Sequence, residues 1–384
     1  MARPVVGLDV GSSCVKAVQL KRVGKTAIQI EKVGMAEVNP NGPPPGGPAA
    51  RDAKAQAIKA ALAQGGIKAK QVVSSVSGES IIVRYIQLPD MPENELVEAL
   101  KWEAEEYIPF NIEDVNLGSA ILGKTEDGSR VNVLLVAAKK DLIEEHASII
   151  RQAGLQPIIV DVDSFAFLNA FEINCEPDPQ TVAALINIGS NVTNINVYHN
   201  GASYFSRDIA MAGNSITTAI QSKLGLEWGE AEQLKVNEGA PESLVGAEPA
   251  AEEGDGMSNL METIRGSVEK ITGEQSAEES PEEIAGNIIG SSLTNLLSEI
   301  RRSIQFFENQ AGGRQVNRVV LGGGSARMRN IVEYFNNELS LPVEVLDPLQ
   351  RTAPGGRDID KGALESSKQF LGVGIGLALR KVVD

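Results

Sequence analysis

The 384-residue sequence predicts an α/β chain of two lobes, with a small α+β subdomain inserted into the first. Two observations predict it. Val5-Val6-Gly7-Leu8-Asp9-Val10-Gly11-Ser12-Ser13-Cys14-Val15-Lys16 reads as a β-branched strand, a Gly/Ser hairpin turn and a returning strand. The pattern recurs from Thr181 to Gly201, where an apolar strand meets the turn Asn187-Ile188-Gly189-Ser190-Asn191 and returns through Val192, Ile195 and Val197. A third glycine element, Val319-Val320-Leu321-Gly322-Gly323-Gly324-Ser325, is a strand entering a glycine run, with a helix expected from Arg327 to Asn337.

A three-strand meander fills residues 4–38. The loop from Asn39 to Pro48 holds too many Pro and Gly for regular structure. A helix is expected from Arg51 to Gln64, stopped by Gly65-Gly66, and Gln71 to Val76 is the next strand. The inserted subdomain, 78–157, reads as strand 80–88, helix 93–107, strands 114–123 and 131–138, and a helix from Lys139 to Ala153. Asp161 to Asn174 reads as the helix joining the lobes. The first-lobe core is therefore 1–77 with 158–180, and the second-lobe core 181–214 with 316–384. A second-lobe subdomain, 215–315, holds helices at 215–224 and 227–236 and a long helix from Ser292 to Gln310 with an apolar stripe.

Composition narrows the function. The net charge of −16 argues against nucleic acid, and against an electrostatic hold on an anionic membrane. Of that charge, −11 (thirteen Asp/Glu, two Lys/Arg) lies between Glu238 and Glu283, a stretch that reads as a flexible acidic insertion with a short amphipathic helix at Leu260–Ile271. Cys14 and Cys175 are the only cysteines, which excludes a disulfide framework and fits a reducing cytoplasm. The start, Met1-Ala2-Arg3-Pro4, reads as no signal peptide, and the apolar run Phe370–Leu379 is too short to span a bilayer. Ser13-Cys14-Val15-Lys16 matches S-x-x-K by coincidence, since no S-D-N or K-T-G follows. His146 and His199 lack evident partners in the sequence.

From the residues alone, Gly11 permits a tight turn whose N–H groups can face one anion, with Asp9 at the lip to hold hydrated magnesium and Lys16 as a point charge. The three glycine turns, in this order, resemble the phosphate 1, phosphate 2 and adenosine motifs of the actin-like ATPase superfamily. A narrower resemblance lies in Trp102-Glu103-Ala104-Glu105-Glu106-Tyr107-Ile108-Pro109-Phe110, in Val160–Ala166 and in Val373–Arg380: these are similar to the PilM family of type IV pilus assembly proteins.

The resemblance implies a bilobed actin-like ATPase fold, with the insertion placed as in the cell-division protein FtsA. It implies ATP and Mg2+ as cofactors, held by Asp9, Gly11, Ser12, Ser13 and Lys16, by Gly189, Ser190, Asn191 and Thr193, and by Gly322, Gly323, Gly324 and Ser325. Asp9 is the metal-holding acid, acting through water. Asp163 matches a water-orienting acid on the connecting helix, or else caps that helix. Asn187 stands where the superfamily has an acid, so it is a weak metal contact and at most weak ATPase activity is expected.

The resemblance also implies a partner, the cytoplasmic N-terminal tail of a PilN-like bitopic inner-membrane protein, with other pilus platform proteins and the motor ATPase as further candidates. The chain would be cytoplasmic, held at the inner membrane through that partner without inserting itself. Arg84, Trp102 and Tyr107 are the candidate tail contacts. On the helical wheel Leu96, Val97, Leu100, Ala104, Tyr107 and Ile108 form a core stripe, and Trp102 falls opposite, either under a neighbouring subdomain or free to anchor a partner. A filament-forming, FtsA-like protein and a small-molecule kinase are the competing functions on this fold.

Overall fold

The computed structural model describes residues 4–24, 27–40, 42–125, 127–242, 279–356 and 359–382. Most of the acidic insertion, including the expected Leu260–Ile271 helix, lies outside them. The first sheet contains β1 (Val5–Val10), β2 (Cys14–Val23), β3 (Ala27–Glu37), β4 (Gln71–Val76) and β8 (Gln156–Val162) in the order β3-β2-β1-β4-β8. The second contains β9 (Val182–Ile188), β10 (Thr193–His199), β11 (Ala202–Ile209), β12 (Arg318–Gly322) and β13 (Val343–Val345) in the order β11-β10-β9-β12-β13. In both, a meander of three strands pairs antiparallel and the last two strands add in parallel. The two glycine hairpins thus occupy matching places in two copies of one topology.

Helix α1 (Gly47–Gln64) covers the first sheet, together with α3 (Lys140–Gln152). The connecting helix α4 (Asp163–Cys175) is buried on nearly every side, and so is α10 (Gly372–Leu379). Around the second sheet lie α5 (Gly213–Leu224), α6 (Trp228–Glu238), α7 (Pro281–Gln310) and α8 (Ile331–Leu339), with α9 (Lys361–Ser367) beyond. The α7 stripe Leu293, Leu296, Leu297, Ile300, Ile304 and Phe307 is buried, as its spacing requires.

The inserted subdomain is a three-stranded antiparallel sheet, β5 (Ile81–Pro89), β7 (Arg130–Lys139) and β6 (Val115–Lys124), in the order β5-β7-β6, with α2 (Glu93–Tyr107) on one face. Leu96, Leu100, Ala104 and Ile108 pack on Ile86, Leu88, Val131 and Val133. Tyr107 departs from the expected stripe. It is the last residue of α2 and is 41% exposed, because the chain turns inward at Ile108 instead.

Several boundaries differ from expectation. Helix α1 begins at Gly47, inside the Pro/Gly loop, because Pro48 suits a first-turn position whose N–H has no partner. Residues 156–162, assigned partly to the connecting helix, form β8: Ile159, Val160, Asp161 and Val162 pair in parallel with Val73 to Val76 of β4, and the helix starts only at Asp163. The helix expected from Arg327 becomes a short 3-10 turn, Gly324–Arg327, and α8 starts at Ile331 after Asn330 adopts a φ of 59°. Helix α7 starts at Pro281, eleven residues before Ser292, with a capping box between Ser280 and Glu283.

The lobes are joined where α4 crosses α10. A Cβ on Gly376 would lie 1.7 Å from the Ala166 carbonyl oxygen, and one on Gly7 of β1 would lie 2.2 Å from that of Gly374. Only backbone fits at these crossings. Gly376→Ala is therefore expected to lower stability by about 3 kcal/mol, since the backbones must part to admit a methyl group. Thermal unfolding of the variant checks this, and an unchanged midpoint would contradict the crossing.

Candidate functional site

The first hairpin brings Asp9 and Lys16 into direct register across β1 and β2, with Lys16 Nζ 3.1 Å from Asp9 Oδ2 and both side chains nearly buried. Burial works against the Lys16 ammonium, but Asp9, with Cys14 and Asp163 adding, more than offsets it, so its pKa is raised. Lys16 thus stays charged beside the Gly11-Ser12-Ser13 turn. Gly11 is needed for space: a Cβ there would sit 2.7 Å from the Cys14 carbonyl oxygen and 3.2 Å from Lys16 Nζ.

Asp163 is the first residue of α4 and makes no capping bond. Its Oδ1 accepts a hydrogen bond from Ser75 Oγ at 2.5 Å, so it faces the cleft floor rather than the helix end. Burial first, and then the charge of Asp9, push its pKa up to about 6, against the pull of Ser75 and Ser77. Asp208 on β11 also raises it. Three carboxylates, Asp9, Asp163 and Asp208, therefore share one low-dielectric floor between the lobes. The sequence reading missed Asp208, because nothing in its segment distinguishes an exposed strand acid from a buried one.

On the second hairpin Asn187 Nδ2 donates to Asn194 Oδ1 at 2.9 Å, and Asn194 Nδ2 donates to Asp208 Oδ1 at 2.7 Å. Asp208 Oδ2 in turn accepts the Gly78 amide at 2.6 Å, at the entry to the inserted subdomain. Thr193 is fully buried with its hydroxyl on the Met211 carbonyl, so it braces the turn from inside. Asn214, at the start of α5, ties the two hairpins together. Its side chain reaches Asn191 Oδ1 at 2.7 Å and Ser13 Oγ at 3.4 Å, and its amide donates to the Ser190 carbonyl.

The glycine run closes against the second hairpin. Gly323 has a φ of 85°, and a Cβ there would lie 2.4 Å from the Ile188 carbonyl oxygen. Gly322 and Gly324 lie against Phe167 and Phe370, and Ser325 Oγ donates to the Gly189 carbonyl at 3.2 Å. Behind them Lys235 of α6 is buried, with Nζ 2.6 Å from Glu232 Oε2, 2.9 Å from Thr217 Oγ1 and 3.2 Å from the Gly213 carbonyl. Burial lowers its pKa, opposed by Glu232. Among the described residues, no group of three His, Cys, Asp or Glu side chains is close enough to ligate a metal directly.

The two histidines do have partners. His146 Nε2 lies 2.9 Å from Ser74 Oγ, and burial pushes its pKa down to about 4, while His199 Nδ1 meets the Thr181 carbonyl. The candidate tail contacts lie apart from the cleft. Trp102 is 73% exposed, so it is not packed under a neighbouring subdomain. Arg84 is exposed on β5, with its guanidinium donating to the Val83 carbonyl.

The family model described as type IV pilus assembly protein PilM matches residues 7–246 and 258–382. The chain belongs to the PilM family. It is similar to a solved chain of a "PilM-PilN type IV pilus biogenesis complex", at 26% identity over 98% of each chain with a TM-score of 0.75. More distant likenesses share the fold alone. They include MreB5 of Spiroplasma citri bound to ADP (15% identity, 100% of this chain and 97% of that one, TM-score 0.50) and the diol dehydratase-reactivating factor (10% identity, all of both chains, TM-score 0.51). This PilM-family chain has the actin-like ATPase fold, and no helix among its described residues is long and apolar enough to cross a membrane.

The buried acid gives a pH-dependent test on the nucleotide-free protein. Asp163 holds its proton more tightly folded than unfolded, so the wild type loses stability as pH rises from about 4 to about 6 and does not recover it above. Asp163→Asn keeps the Ser75 hydrogen bond without that penalty. Its advantage over wild type should grow across that window to the order of 2–3 kcal/mol. Urea unfolding at about pH 3.5 and about pH 7.5, on either side of that window, decides it; parallel pH profiles would place the charge elsewhere.

Proposed function

We propose that this PilM-family chain is a nucleotide-binding scaffold of the type IV pilus inner-membrane platform, and that it holds the cytoplasmic tail of a PilN-like membrane protein. The observation that carries the nucleotide half is the convergence of the three glycine turns on one cleft, over a floor of three carboxylates and beside Lys16. MreB5, which shares the fold, is solved with ADP, and this supports the reading. The similarity to the PilM-PilN complex supports the partner.

In this reading the amides of Gly11, Ser12 and Ser13 and of Ser190 and Asn191 face the phosphates from opposite sides, while the Gly189 amide closes its hairpin on the Val192 carbonyl. Gly322–Ser325 lies along the base and ribose, with Glu232 and Lys235 behind. Magnesium ATP, when bound, supplies a phosphate chain whose charge these donors match. The scattered carboxylates suit a hydrated ion, since magnesium keeps most of its water, and Asp9 would hold it through that water. Asp9→Asn is expected to weaken the magnesium-dependent part of nucleotide binding by about tenfold, with little effect on magnesium-free binding. Fluorescent-nucleotide titration with and without magnesium measures this. Equal loss in both conditions would mean Asp9 merely shapes the hairpin.

Hydrolysis is expected to be weak. Asn187 carries no charge, and its amide is committed to Asn194. Asn187→Asp alone forces the Asn194 amide to turn over, which sets its oxygen against Asp208. Only Asn187→Asp combined with Asp208→Asn satisfies every group, so the pair, not the single change, should raise phosphate release. Rapid release by the wild type would assign the water-orienting role to a group other than Asn187.

The tail half concerns the inserted subdomain, with Trp102, Tyr107 and Arg84 as its exposed candidates. The chain would then reach the inner membrane through its partner. Calorimetry with a synthetic PilN tail, with and without ATP, tests this: no heat from well-folded protein in either condition would remove the tether.

A further inference from the structure

The inserted subdomain carries a groove of about 580 Å³, lined by Glu98, Trp102, Glu105, Phe110, Asn111, Ile112 and Glu113. Its construction follows from the helix repeat. Residues 98, 102 and 105 are spaced i, i+4, i+7 and so share one face of α2, opposite the buried face at Leu96, Leu100 and Ala104. Beyond the helix the chain turns at Ile108 and residues 110–113 line the groove's far side, held by Asn111, whose side chain accepts the Glu113 amide. The result is an indole 73% exposed, bracketed along its helix by two glutamates and faced by Phe110, Ile112 and a third glutamate.

The charge is one-sided. From Glu93 to Asp114 the sequence has eight acidic residues and one lysine, a net −7 over 22 residues. Lys139 and Lys140 come closest to offsetting it. Lys139 Nζ lies 4.5 Å from the Phe110 ring centroid, and Lys140 Nζ donates to the Glu113 carbonyl at 2.6 Å. With both counted the stretch is still −5. The chain itself thus sets an ammonium over one of the groove's aromatic faces.

We propose that this groove reads a basic segment, with one Arg or Lys of the partner over the Trp102 indole between Glu105 and Glu113 and an apolar neighbour against Ile112 and Phe110. The proposal rests on the tail-binding reading above. It adds the chemistry that reading lacks. A cation over an indole face gains most when carboxylates flank the ring. The cytoplasmic flank of a membrane-spanning segment is also where Lys and Arg accumulate. An acidic aromatic groove on a protein of net charge −16 therefore complements the juxtamembrane part of a bitopic partner, repels acidic tails that share its apolar pattern and gives neutral ones no charge attraction.

The test uses the full-length protein and two synthetic peptides: the cytoplasmic tail of its PilN partner, and the same tail with every Lys and Arg replaced by Gln. The native tail should bind at least tenfold more tightly than the Gln tail at low salt, and that gap should shrink as NaCl rises toward about 0.5 M. Trp102→Ala and Glu105→Gln/Glu113→Gln should each cost the native tail about tenfold and leave the Gln tail unaffected. All three residues line an open groove, so these variants should unfold at the wild-type temperature.

Native-tail binding that is unchanged in both variants would overturn the groove while leaving the tether standing. Absence of binding to the wild type would overturn both. Concentration-dependent self-association abolished by Trp102→Ala would show a second copy of the chain as the occupant, and would overturn the proposal as well.

Discussion

The close crossing of α4 and α10 is the constraint on which the cleft depends. Each helix serves both lobes. Phe167 and Phe171 of α4 pack in one core with Val18 and Ile30 of the first sheet and Leu185 and Val320 of the second, and α10 contributes Val373, Ile375 and Leu377 to that core. Because Gly376 meets the Ala166 carbonyl and Gly7 meets that of Gly374, α10 approaches α4 on one side and β1 on the other to backbone contact and leaves no slack. Asp163 opens α4 and therefore inherits that rigidity. Its carboxylate is held at the floor by the same helix that joins the lobes below.

The parts of this fold that were legible in the sequence are those where a local rule and the global packing agree. The hairpins at Gly11 and Gly189 needed only alternation and turn chemistry, and the α7 stripe, with Leu96, Leu100, Ala104 and Ile108 of α2, needed only the helix repeat. β8 was misread because Asp161 and Asp163 resemble a helix start, and only the parallel ladder with β4 makes a strand of that segment. Asn214, Asp208 and Lys235 were not legible at all. Each is an ordinary polar residue in its own segment and becomes part of the site through contacts with Ser13, Gly78 and Gly213, which lie 201, 130 and 22 positions away respectively. Trp102 was half legible: the wheel put it off the core face, but whether another subdomain covered it was a tertiary fact.

The glycine turns carry a second lesson. Read in sequence, they suggest backbone bent to meet an anion. In the structure the Gly11 Cβ position meets Cys14, the Gly322 position meets Phe167 and the Gly324 position meets Phe370. Gly323 alone combines a left-handed φ with a close approach. Three of these four glycines are therefore explained by packing before any ligand is invoked. That does not weaken the site. Walls this close set the separation of the two hairpins, and Asn214 then bonds across them, so the turn amides are placed by the fold and need no ligand to order them.

Strand β11 connects this preorganised cleft to the inserted subdomain. Asp208 accepts from Gly78, Ser206 meets Ser164 of α4 at 2.8 Å, and Ser203 meets the Tyr85 hydroxyl of β5, so one strand touches the cleft floor, the connecting helix and the insertion in turn. Asn196, paired with Ser206 in the ladder, is 1% exposed and has neither side-chain polar atom bonded. An apolar seam would resist opening because parting it exposes hydrocarbon. This polar seam differs, since water can replace each hydrogen bond that is lost. The fold is thus held by backbone-close packing below, at the α4–α10 crossing, and by hydrogen bonds above, along β11. A ligand that alters the spacing of the hairpins acts on Asp208 through Asn194, and a ligand that shifts the insertion acts on Ser203 through Tyr85. Both act on one strand, and whatever coupling free energy it carries must be equal in the two directions.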